Sequence, residues 1–73
     1  CMEDLILYYY DSCNMATNRI QELKAMATKT DDIDTLKDIE IRKNVLYAQV
    51  RHMKEIIGIL KGYQREWASH EES

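Results

Sequence analysis

Ten residues in the stretch Asp34–Trp67, DTLKDIEIRKNVLYAQVRHMKEIIGILKGYQREW, decide the fold: Leu36, Ile39, Lys43, Leu46, Val50, Met53, Ile57, Leu60, Gln64 and Trp67. They recur at alternating steps of three and four, the spacing that lines up one face of a helix. The same stretch holds a second line: Ile41, Val45, Ala48, His52, Ile56, Ile59 and Tyr63. A surface helix normally shows one apolar stripe, so two stripes imply two neighbours.

Upstream, Met2, Ile6, Tyr9, Cys13, Ala16, Ile20, Leu23 and Ala27 repeat the three-four spacing. This predicts a first amphipathic helix over about 2–27. Cys13, Ala16 and Ala27 are small and permit a close approach of a partner backbone. Leu5, Tyr8 and Met15 add a second apolar line over the first half, which Arg19 and Glu22 then make polar. Between the helices lies Thr28-Lys29-Thr30-Asp31-Asp32, whose side chains compete for helical hydrogen bonds. Asp31, or Thr35 with Asp38, can cap a second helix running over about 34–68. Asp38–Arg42 and Arg51–Glu55 are i,i+4 pairs that support it. The tail 69–73 is polar and is expected to fray.

The seam frame slips where the polar stretch lies. A slip can be a supercoil defect in a continuous rod, but its coincidence with capping residues favours a turn at 28–33. The expected architecture is therefore all-α: an antiparallel two-helix coiled-coil hairpin, assembling into a four-helix bundle or a larger coiled-coil complex. A turn centred near residue 30 sets Ile20 against the Lys43 region, Cys13 against Val50 and Ile6 against Ile57. Met2 then reaches about Leu60, and Tyr63 and Trp67 overhang the first helix. Either a second copy covers the overhang, or residues preceding Cys1 extend the first helix. The start at Cys1 rather than Met suggests a fragment of something longer.

Composition excludes several function classes. The charge of −3, from 13 acids and 10 bases, comes without a basic cluster, which argues against nucleic acid. Leu5–Tyr10, the longest apolar run near the start, is too short to span a bilayer, so no membrane insertion is expected. At 45% hydrophobic residues and no Pro, the chain is too apolar for a disordered tail. Nucleophile–base pairs, phosphate loops and metal spacings are absent from the sequence, so neither catalysis nor a cofactor is expected. Cys1 and Cys13 match no disulfide scaffold; Cys13 reads as a small buried hydrophobe, and the free thiols point to the cytoplasm or nucleus.

The remaining conspicuous residues each have a plain reading. Tyr8, Tyr9 and Tyr10 point about 100° apart, so they make no single box: Tyr9 belongs to the seam, Tyr8 to the second line, and Tyr10 to the periphery. Nothing in their surroundings specifies phosphorylation. His52 sits on the second stripe between Ala48 and Ile56 as a packed or interfacial residue, and His70 is too distant to share a metal with it. Lys43 and Gln64 interrupt the seam, either setting register or, for Lys43, snorkelling. Gly58 and Gly62 have the spacing of close-packed membrane helices, but their charged flanks exclude a buried span.

A shorter first helix and a longer second one resemble two groups of antiparallel coiled-coil hairpins in architecture. One is the Rho-binding homology-region finger; the other is the oligomerising hairpin of nuclear-pore channel components. Two uses follow. The chain is a non-enzymatic oligomerisation segment of a scaffold, adaptor or transport protein, pairing with itself or with another coiled-coil protein. Alternatively it is a monomeric finger that docks a folded partner such as a small GTPase. In both, the contacts fall on Val45, His52, Ile56, Ile59, Tyr63 and Trp67, with Tyr8 on the first helix.

Overall fold

The computed structural model describes the backbone of residues 1–72 and the side chains of residues 1–67. Helix α1 spans Met2–Ala27 and helix α2 spans Ile33–Glu72. They lie side by side as a hairpin with principal extents of 62 × 14 × 13 Å. The radius of gyration is 17.5 Å, against about 11 Å for a globular domain of this length. Among the described residues so thin a body packs about one seam, between the two helices. No described helix is long and apolar enough to cross a membrane.

The bounds of α1 match those read from its periodicity. Helix α2 begins one residue earlier than expected and continues to Glu72, past the expected end at residue 68. The polar tail expected at 69–73 lies outside the described side chains.

The chain reverses over residues 28–32 without a positive φ, which is why no glycine is needed there. Thr28 stays in the right-handed helical region, and its hydroxyl donates to the Ala25 carbonyl at 2.7 Å. The Asp32 amide then donates to the Thr30 hydroxyl at 3.2 Å. Asp32 caps α2: its carboxylate accepts from the Thr35 amide at 3.2 Å and also from the Thr35 hydroxyl. The capping residue is thus Asp32, not Asp31 or a Thr35–Asp38 box. Asp38 is instead engaged by Arg42 at 2.8 Å, the expected i,i+4 pair. Among the described residues, Arg51 and Glu55 do not close the other expected pair.

Burial follows the two seams except at their ends, where Met2 and Trp67 are exposed. Ile6, Cys13, Ala16, Ile20 and Leu23 are buried in α1, and Ile39 and Ile57 in α2. Tyr9, Ala27, Leu36, Leu46, Val50, Met53, Leu60 and Gln64 are half-buried along the same lines. Leu23 is the most deeply enclosed, at 1% exposure.

Cross-helix contacts set the register. On one flank Tyr10 meets Lys61 and Lys24 meets Tyr47. On the other, Arg19 and Arg42 line one groove, and Ser12 and Gln49 line the next. The seam midway between these flanks places Ile6 opposite Leu60, Cys13 opposite Met53, Ile20 opposite Leu46 and Leu23 opposite Lys43. This is one helical turn further along α2 than a turn centred near residue 30 would place it. The first turn of α2 takes part in the reversal, because the Asp32 cap starts the helix before the chain has come fully round. Met2 therefore reaches the level of Gln64. Tyr63 lies beside the start of α1 rather than beyond it, and only the end around Trp67 overhangs.

Lys43 sits in the layer of Leu23 with its side chain only 20% exposed, and its ammonium reaches Glu40 at 3.1 Å. Its stem covers Leu23 while its charge stays in solvent, which is the snorkelling arrangement.

Leu23→Ala should therefore cost about 2–5 kcal/mol, a large share of what so small a fold holds. Asp32→Ala should cost about 1 kcal/mol through loss of the cap. Urea unfolding followed by circular dichroism measures both. An unchanged midpoint for Leu23→Ala would contradict the seam assignment.

Candidate protein interface

The hairpin has two unlike flanks. Along one, Tyr10, Lys24, Tyr47 and Lys61 close over the seam. The Lys61 ammonium donates to the Tyr10 hydroxyl and lies 4.9 Å from the centre of its ring. The Lys24 ammonium lies 5.9 Å from the centre of the Tyr47 ring. Lys24 brings its charge towards the face of the Tyr47 ring, a contact worth about 0.5–1 kcal/mol at an exposed site, whereas Lys61 meets Tyr10 at its hydroxyl edge as a hydrogen-bond donor. This flank is polar and closed.

The opposite flank carries the second stripe of α2. Ile41, Val45, Ile59 and Tyr63 are all more than half exposed, at 63%, 53%, 59% and 59%. Ala48 and His52 are exposed as well, and Ile56 is half-buried. From α1, Leu5, Tyr8 and Met15 face the same side, with Met15 at 72% exposure. The two apolar lines read separately in the sequence thus converge on one side of the hairpin. Together they form a patch of the kind that marks interaction sites.

Two adjoining grooves of about 280 Å³ each run along this flank. One is lined by Arg19, Leu23, Ile41, Arg42, Val45 and Leu46. The other includes Ser12, Met15, Ala16, Gln49 and Met53. The second groove opens beside the small side chain of Ala16, with Met53 on its far wall. Arg19 and Arg42 face each other over the first groove, and each is held by an acid of its own helix. Arg19 pairs with Glu22 at 3.0 Å and Arg42 with Asp38 at 2.8 Å. The two like charges are thereby neutralised in place, and the groove stays open between them.

Of the residues expected at an interface, Val45, His52, Ile56, Ile59, Tyr63 and Tyr8 share this flank. Trp67 is 68% exposed at the overhanging end. Tyr9 takes its seam position, and its ring meets that of Tyr8 edge to face at 5.5 Å. Tyr10 is not merely peripheral, since it closes the polar flank with Lys61. Cys13 is buried and free, and Cys1 is free at the surface. A Cβ at Gly58 or Gly62 would meet nothing within 4 Å, so their spacing mediates no close approach within the hairpin. The described residues include no group of three or more His, Cys, Asp or Glu side chains placed to hold a metal.

The Lys–Tyr contacts depend on register, so periodicity alone does not reveal them. Once Leu23 is set opposite Lys43, Lys24 necessarily falls beside Tyr47. Comparison of the chain with protein-family models, curated proteins and solved structures found no match.

A double-mutant cycle on Lys24→Ala and Tyr47→Ala should give a coupling of about 0.5–1 kcal/mol in unfolding free energy. Additive effects would mean that the two side chains do not interact in solution.

Proposed function

We propose that this chain is a coiled-coil oligomerisation segment of a larger scaffold, adaptor or transport protein, associating with a second copy of itself. The observation that carries the reading is the apolar flank left over once the seam is complete. Helix α1 uses one α2 stripe from Leu36 to Gln64, and the other stripe stands in solvent along most of its length. Exposing that much contiguous apolar surface is unfavourable for a monomer, and a homotypic bundle is the common way to cover it. The thin shape of the described hairpin and its long exposed apolar flank favour a binding module.

Sedimentation equilibrium of the chain should give a dimer or a higher oligomer at micromolar concentration. Val45→Glu with Ile59→Glu should shift it to a helical monomer. These two residues are better probes than Ile56, which is half-buried and whose replacement would also disturb the hairpin. A wild-type chain that stays strictly monomeric at high micromolar concentration would defeat self-association. The same stripe would then serve a folded partner such as a small GTPase.

A further inference from the structure

The second stripe of α2 is spaced symmetrically about His52. Its steps from Ile41 to Tyr63 are four, three, four, four, three and four. Run backwards, the series is identical. Two such stripes laid antiparallel therefore bring every member to the level of another member. Ile41 faces Tyr63 of the second copy, Val45 faces Ile59, Ala48 faces Ile56, and His52 faces itself. At 3.6 residues per turn, all seven lie within about 40° of the line through His52, so the stripe runs nearly straight along the helix. It extends for about 33 Å at 1.5 Å per residue.

The charges beside the stripe are complementary in the same register. On the edge of the stripe away from α1 lie Lys37, Arg51, Glu55 and Glu66, all exposed. An antiparallel partner sets Lys37 beside the second copy's Glu66, and gathers both Arg51 and both Glu55 side chains at the axis. There each Arg51 lies about 3 Å along the helix from the other copy's Glu55 and as far from its Arg51, with Glu55 the nearer to the contact. The two-fold symmetry repeats each pair. Arg51 and Glu55 are the residues that leave their expected intrahelical pair unmade. A parallel arrangement would set Arg51 beside Gln49 and Met53 of the other copy, with no carboxylate to meet it. Helix α1 obstructs neither copy, since it lies on the far edge of the stripe and its own apolar line faces the partner's side. Met15 and the groove beside Ala16 then lie at the level of His52, near the symmetry axis.

We propose that the hairpin dimerises by antiparallel pairing of α2 with the α2 of a second copy, about a two-fold axis passing at His52. The proposal rests on the self-association reading above and adds the face, direction and register. Helices packed 8–10 Å apart bring facing Cα atoms on such an axis within disulfide reach. His52→Cys in a Cys1→Ser, Cys13→Ala background should therefore cross-link to itself under mild oxidation. Val45→Cys should not, because its copy lies about 21 Å away along the axis. It should instead cross-link when mixed with Ile59→Cys. Self-cross-linking of Val45→Cys, or none by His52→Cys in a chain that sediments as a dimer, would overturn this geometry while leaving self-association standing. A monomer in sedimentation would overturn both. As a second readout, Arg51→Glu should weaken the dimer about tenfold, and Arg51→Glu with Glu55→Arg should restore it. Failure of the double variant to recover would count against the register.

Discussion

Which face of α2 closes against α1 determines everything else in this hairpin, and the repeat length of each face decides it. The α1 seam has a seven-residue repeat, as does the Leu36–Gln64 face of α2. Two heptad stripes stay in register by winding gently round each other in a left-handed sense. The Ile41–Tyr63 stripe repeats every eleven residues, which suits a straight or slightly right-handed contact. Against the heptad seam of α1 it would drift off the contact within a few turns. Helix α1 therefore takes the heptad face, and the eleven-residue stripe stays exposed. The second α2 proposed above as its partner would share that repeat.

The helices, both seams and the place of the turn were legible in the sequence because periodicity reports them directly. The register was not. Moving one helix by a full turn keeps every seam residue in the seam, so the pattern of buried residues is the same for either pairing. What separates the two pairings is the hydrogen bonding of five turn residues. Asp32 rather than Asp31 caps α2, and the cap places its first turn within the reversal. Several carboxylates crowd that stretch, and composition alone does not say which one will accept from Thr35.

Side-chain roles outside the seam follow the same division. That Ile41, Val45, Ile59 and Tyr63 share a face is a matter of spacing within one helix. That Leu5, Tyr8 and Met15 extend the same side depends on where α1 lies, and so does the closure of the other flank by Lys24–Tyr47 and Tyr10–Lys61. Lys43 shows why a polar residue in a seam need not weaken it. Its long stem shields Leu23, while Glu40 receives its ammonium at the rim. The fold keeps a charge at the edge and an apolar layer beneath it.

On α1, the middle of the seam is built from small residues. Cys13 and Ala16 lie opposite Met53 and Val50, the narrowest stretch of α1, and the groove beside them opens on the apolar flank. Interiors approach the density of organic crystals, so an open groove beside the seam forfeits contacts that a larger side chain would make. Larger residues at 13 and 16 would close the groove, but they would also push α1 outward and raise the rim around His52. Small residues there keep α1 low beside the centre of the exposed stripe. The thin seam and the exposed stripe thus coincide at one level of the hairpin.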